Sequence, residues 1–143
     1  MIVADVMKTN LIVARVEDTV ASAAALLESL EIRHLPVVEG KRLIGMVSDR
    51  DLRDYRLPVL EELESPTQAD AMGRTPIVEV MRGDVIAVEP DEPLSSVLDI
   101  MIETKVGAVP VLARPRDELV GIVSYIDLLV ELRVRVTAEE LED

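Results

Sequence analysis

Along this chain the hydrophobic positions change period in a fixed order, and that order occurs twice. A short apolar run from Leu11 to Ala14 predicts a strand, and the acidic stretch "EDT" after it suits a helix N-terminus, where the helix dipole favours negative charge. Val20, Ala23, Ala24, Leu27 and Leu30 then recur at helical spacing, which places them on one inward face. Two apolar runs, "LPVV" and "LIGMV", flank the polar turn "EGKR" and read as a β-hairpin. Neither run alternates, so both strands are expected to be covered on both faces. At Ser48 a second helix begins. The second pass runs through Val85 to Val88, "DEP", a helix carrying Leu94, Val97, Leu98 and Met101, the runs "VPVL" and "LVGIV", and a helix start at Ser124.

The two passes superpose in sequence. At an offset of 74, Met7 falls on Met81, Ile12 on Ile86 and Pro36 on Pro110; after a two-residue difference in the hairpin turn, Gly45 falls on Gly121, Ser48 on Ser124 and Asp51 on Asp127. One β-α-β-β-α unit has been used twice, at 1–56 and 77–134. Such a unit covers its small sheet poorly, so the copies are expected to pack about a pseudo-twofold axis with related clefts between them. Pro58, Pro66 and Pro76 punctuate the intervening 57–76, which reads as an exposed, acidic connector that cannot be one continuous helix. Residues 135–143 read as an acidic tail with a fraying helix end.

Composition narrows the chemistry. Hydrophobic residues make up 49% of 143, yet there are two Tyr, no Phe and no Trp, so the core is aliphatic and aromatic stacking cannot be the main grip on a ligand. A net charge of -13 opposes the phosphate neutralisation that nucleic-acid binding requires. No Cys excludes disulfides, thiolate zinc sites and cysteine nucleophiles. One His, no phosphate-binding Gly-rich Lys loop and no metal-ligand spacing leave no catalytic constellation, so an enzyme is not expected. With no signal-like start and no apolar run of bilayer length, the expected location is the cytoplasm, with no membrane partner.

The repeated segments "GMVSDRDL" (45–52) and "GIVSYIDL" (121–128) carry the candidate chemistry. Ser-x-x-Asp at a helix start is a capping box, stabilising by about 0.5–2 kcal/mol and sufficient reason for both residues. The functional reading adds that an ionised Asp beside a strand end can accept from two vicinal hydroxyls, as on a ribose, and that Gly45 and Gly121 permit close backbone approach.

Taken with the upstream x-Pro-Val segments, these repeats resemble the cystathionine β-synthase (CBS) domain pair, or Bateman module, over all of the chain except the connector and the last dozen residues. The resemblance implies an α/β (α+β) fold of two pseudo-symmetric repeats packed as one disc-like module. It implies a regulatory, energy-sensing role in which AMP, ADP, ATP or S-adenosylmethionine binds between repeats as a regulatory ligand, with Mg²⁺ able to accompany ATP and no catalytic cofactor. Carried over, one cleft joins Ser124 and Asp127 to Thr9, Asn10, Leu11, Ile12, Arg33, His34 and Pro36. The other joins Ser48 and Asp51 to Asp84, Val85, Ile86, Gly107, Ala108 and Pro110.

Arg33 and His34 give the first cleft charges where the second has Gly107 and Ala108, which directs phosphorylated ligands to the first. The resemblance also implies a homodimer through the aliphatic faces of 51–59 and 127–132, and a target protein that the chain does not identify. The competing reading is a structural or protein-interaction domain whose clefts bind nothing.

Overall fold

In the computed structural model, which covers residues 1–143, each predicted pair of apolar runs is an antiparallel hairpin. Strands β2 (His34–Glu39) and β3 (Arg42–Ser48) pair with a bulge at Val37/Val38, and β4 (Ala108–Ala113) and β5 (Glu118–Ser124) pair with the equivalent bulge at Val111/Leu112. Gly40, at φ +61°, supplies the left-handed residue that turns β2 into β3. The chain is of the α+β class.

The strands expected at 11–14 and 85–88 are shorter than their apolar runs. β1 is Ala14–Arg15, parallel to Val37 and Val38 of β2, and its counterpart is a single bridge from Val88 to Val111. The acidic stretches also act one step earlier than expected. Asp18 accepts from the Arg15 N–H at 2.8 Å and Glu92 from the Glu89 N–H, closing the turn before each helix. Capping of helix α1 (Val20–Ser29) falls to Thr19, and α5 (Leu94–Thr104) starts after Pro93 with no side-chain cap.

Val20, Ala23, Ala24 and Leu27 are buried as predicted, with Leu35, Val37, Val47, Leu52 and Ile77. The second core holds Val3, Val88, Val97, Val109, Val111 and Val123. Leu30 and Leu98, assigned to the inward faces, are 45% and 42% exposed. Leu30 is the residue that ends α1, beyond the last turn able to reach the core.

The compact units do not coincide with the sequence repeats at 1–56 and 77–134. One comprises Ile12–Val85, the other Met1–Leu11 with Ile86–Asp143, so each repeat gives its leading segment to the unit of the other. The exchange follows one hydrogen-bond plan used twice. Val20 N–H donates to Thr75 C=O at 2.9 Å and Leu94 N–H to Met1 C=O at 3.1 Å, while Ile77 N–H donates to Asp18 C=O and Val3 N–H to Glu92 C=O, both at 2.9 Å. Ile77 and Val3, each opening a short 3-10 turn, are fully buried in the receiving units.

The helices after the hairpins differ. α2 (Asp49–Leu52) stops within one turn, whereas α6 (Tyr125–Glu142) runs for 18 residues. Pro58 disfavours helical geometry at Leu57 and stands where the second copy has Val134. The expected frayed tail is therefore the end of α6, which reaches Glu142. The connector is helical in two pieces, α3 (Val59–Glu64) and α4 (Pro66–Gly73), broken at Ser65–Pro66 where proline suits a first helical position. α4 lies close on α1, since a Cβ on Gly73 would come within 3.1 Å of the Ala21 Cβ. No helix is long and apolar enough to cross a membrane.

Each leading segment continues onto a hairpin strand. Arg82 and Met46 exchange both backbone hydrogen bonds, at 2.8 and 2.9 Å, and Lys8 and Ile122 do so at 2.9 and 3.0 Å. A Cβ on Gly45 would stand 2.5 Å from Met81 Sδ and 2.8 Å from the Arg82 carbonyl; on Gly121 it would stand 2.6 Å from Met7 Sδ and 3.2 Å from the Lys8 carbonyl. The close backbone approach these glycines permit is thus made by the protein's own segments. A methionine end can swing aside; a hydrogen-bonded carbonyl cannot without losing its bond. Gly45→Ala is therefore expected to destabilise by about 1–3 kcal/mol, as overpacking does, and Gly121→Ala by less. Urea denaturation midpoints decide this, and a Gly121→Ala cost equal to or above that of Gly45→Ala would contradict it.

Candidate ligand site

Both Ser-x-x-Asp segments form the capping box that their spacing predicts. Ser48 Oγ accepts from the Asp51 N–H at 3.2 Å while the Ser48 N–H donates to Asp51 Oδ2 at 2.9 Å. In the second copy the Ser124 N–H donates to Asp127 Oδ2 at 2.8 Å, the Ser124 hydroxyl donates to the same oxygen at 3.0 Å, and the Asp127 N–H donates to Ser124 Oγ at 3.4 Å. One carboxylate oxygen in each copy is thus committed to the helix start, which fixes the direction of the other.

That other oxygen meets a cation in each unit. Arg82 Nε lies 3.2 Å from Asp51 Oδ1, and Lys8 Nζ lies 3.3 Å from Asp127 Oδ1. The Asp51 and Asp127 side chains are 12% and 9% exposed, the Arg82 and Lys8 side chains 67% and 64%. Carboxylates mostly withdrawn from water therefore carry partners whose charged ends are largely in it, held by stems that can move.

The remaining candidate residues divide by unit. Thr9, Asn10 and Leu11 follow Lys8 directly and belong with Ser124 and Asp127; Asp84 and Val85 follow Arg82 and belong with Ser48 and Asp51. Thr9, Asn10 and Asp84 are exposed, Leu11 and Val85 half-buried. Arg33, His34 and Pro36, grouped above with Asp127, stand within their own unit beside the first motif. His34 is the register partner of Ser48, and the Asp49 N–H donates to the Arg33 carbonyl at 3.1 Å.

Gly107, Ala108 and Pro110 take the equivalent places beside the second motif, where Ala108 pairs Ser124 and the Tyr125 N–H donates to the Gly107 carbonyl at 3.1 Å. Ile12 and Ile86 each open the unit opposite to that of the residues before them, and both are exposed. No three His, Asp or Glu side chains converge to hold a metal ion.

Lys8 and Arg82 are the site residues that motif reasoning missed. The signal was present: outside the hairpin turn they are the only basic position that both repeats keep, each just after the paired methionines Met7 and Met81.

A duplicated hairpin that ends on a capped carboxylate, completed by the exchanged segment of the other repeat, defines a tandem-repeat module with two equivalent polar sites. The model of the CBS domain matches residues 3–61 and 77–134, and the chain belongs to the CBS domain family. The CBS domain-containing protein YhcV of Bacillus subtilis is 30% identical over 128 residues, spanning 90% of this chain and 83% of its own. The CBS domain pair of the protein MJ0100, solved with 5′-methylthioadenosine and S-adenosyl-L-methionine, superposes with a TM-score of 0.74 at 25% identity, over 94% of this chain and 98% of that one. CBSX2 solved with AMP superposes with a TM-score of 0.76, also at 25% identity and over 94% and 98% of the two chains.

His34 carries a pH signature of the first site. Burial lowers its pKa below 6.5, Asp49 and Asp51 oppose the shift, and Arg33 adds to it. As pH falls through 6.5 the unfolded chain takes up the proton first, so stability present above that value is lost toward the folded-state pKa. His34→Gln is expected to remove this slope between pH 7 and 5, read as the pH dependence of the denaturation midpoint relative to wild type. Parallel profiles for the two proteins would show that His34 is not the responsible group.

Proposed function

We propose that this protein is a regulatory module that senses adenosine-containing ligands, AMP, ADP, ATP or S-adenosylmethionine, through Asp51 and Asp127, and has no catalytic role of its own. The observation that carries this reading is the duplicated carboxylate. In both copies one oxygen is fixed by the capping box and the other is turned toward a largely exposed cation. A carboxylate so oriented offers remaining lone pairs to a pair of sugar hydroxyls with little further ordering cost. The ligands of the MJ0100 and CBSX2 structures, which share an adenosyl group, support the ligand class.

Thr9, Asn10 and Leu11 in one unit, and Asp84 and Val85 in the other, supply the chain beside each carboxylate. Ile12, Arg33, His34 and Pro36, with Ile86, Gly107, Ala108 and Pro110, complete the proposed ligand contacts. Ligand occupancy signals through a change in repeat or dimer geometry, limited to what differential affinity for the two states allows. Exposed Ile126, Leu129, Val130 and Leu132 on α6 form an apolar stretch that supports pairing with a second copy. Sedimentation at micromolar concentration is expected to give a dimer, and a monomer would remove that element of the reading.

An adenosyl ligand at about 100 times its dissociation constant adds roughly 2.7 kcal/mol to native-state stability, visible as a raised melting temperature. Asp51→Asn and Asp127→Asn keep the shape and one acceptor oxygen for the capping box but turn the other oxygen into an NH2 donor and remove the charge. Each is expected to weaken binding at its site about tenfold or more, since hydrogen bonds to charged groups contribute about 1.5–3 kcal/mol. Calorimetry with AMP, ATP and S-adenosylmethionine measures this. No melting shift with any of them would favour a structural, protein-interaction role instead.

A further inference from the structure

We infer that Lys8 and Arg82 are the charge-selecting residues of the two sites: each closes on the motif carboxylate when no ligand is present and turns to the 5′ substituent of a bound adenosyl ligand. This rests on the proposed ligand class and adds the element that distinguishes its members.

Four observations carry it. The basic position is kept in both repeats, although every other basic residue outside the hairpin turn that has a counterpart in the other copy meets an acidic, small or apolar one. Each cation contacts Oδ1, while Oδ2 is held by the Ser48 or Ser124 N–H, so the cation covers the side of the carboxylate that the capping box leaves open. The backbones of residues 8 and 82 are pinned by paired hydrogen bonds to Ile122 and Met46, so any response to a ligand is confined to the side chain. That side chain is about two-thirds exposed in both copies, 64% for Lys8 and 67% for Arg82, and has room to move.

A sugar diol that takes lone pairs on Oδ1 competes with the ion pair. The displaced ammonium or guanidinium is left beside the sugar, one ring away from its 5′ group and within the sweep of a flexible stem. A 5′-phosphate offers a new charge-assisted bond in exchange for the one displaced. A neutral 5′-hydroxyl offers little, and the cationic sulfur of S-adenosylmethionine repels. The two cations also differ. Arg82 uses its Nε on Asp51 and keeps its terminal amino groups for a phosphate, whereas Lys8 has one charged nitrogen to share.

Calorimetric titration of the full chain with adenosine, AMP and S-adenosylmethionine tests the inference. Wild type is expected to prefer AMP. Lys8→Met and Arg82→Met are each expected to lower the preference for AMP over adenosine about tenfold or more at the affected site, the scale of one lost bond to a charged group. Adenosine affinity is expected to hold or rise and S-adenosylmethionine to gain, because an internal competitor and a like charge are removed together. Lys8→Arg and Arg82→Lys retain the AMP preference.

Unchanged AMP-to-adenosine ratios in both methionine variants, or a wild type that prefers S-adenosylmethionine to AMP, overturn the role of the cations and leave the sensor reading standing. A wild type that binds none of the three, nor ADP or ATP titrated in the same way, overturns the sensor reading and this inference with it.

Discussion

Each unit depends on a backbone dock one residue wide. Met46 and Ile122 sit opposite Pro36 and Pro110 at non-hydrogen-bonded pairs of their hairpins, where alternation along the strand turns the N–H and C=O away from the ladder. Their own N–H and C=O groups go instead to Arg82 and Lys8. The neighbouring glycine is required because the preceding methionine and the docked carbonyl occupy the space a Cβ would fill. Once docked, residue 82 or 8 lies beside the strand end from which the motif helix springs, and its side chain meets the carboxylate. The x-Pro-Val segment, the glycine, the Ser-x-x-Asp box and the basic residue are therefore parts of one arrangement, repeated with the same hydrogen bonds.

What the sequence makes legible here is what local chemistry determines. The hairpins, the Ser48 and Ser124 caps and the buried face of α1 follow from residues within a few positions of one another. The exchange of leading segments does not, because it is decided by the pairing of Lys8 with Ile122 and Arg82 with Met46, across long stretches of chain and with a single residue of register on each side. No periodicity records such a contact. The repeated basic position was visible, but its ion pairs with Asp51 and Asp127 depend on the same long-range docking. Reading the glycines as openings for a ligand reflects this too: the need for a close approach was visible in the sequence, but not what approaches.

The two copies diverge after their common cap. Val134 allows α6 to continue and display an apolar stretch, whereas Pro58 at the matching position ends the helical run and hands the chain to α3 and α4. In that unit α1, the residues after α2, α3 and α4 enclose a groove of about 200 Å³ lined by Val20, Ala24, Tyr55 and Leu57 among others. The connector is thereby part of the first unit's packing, even though most of its residues are exposed.

Divergence in charge matters more than the shared negative field would suggest. The net charge of -13 repels anions at long range, but at physiological salt that repulsion fades over roughly 8 Å. Within that distance the local cations decide. One unit sets Arg82 on Asp51, with Arg33 and the neutral His34 on the adjoining strand end; the other sets Lys8 on Asp127, with Gly107 and Ala108 in the places of Arg33 and His34. In the proposed function the sugar falls to the carboxylate, whose capping box and ion pair both copies repeat. The groups able to answer a negative 5′ substituent are unequal, and burial keeps His34 from adding a positive charge at neutral pH. On the proposed function, a duplicated framework with unequal cations holds one kind of ligand core at both sites while responding differently to its charge, which a single site cannot do.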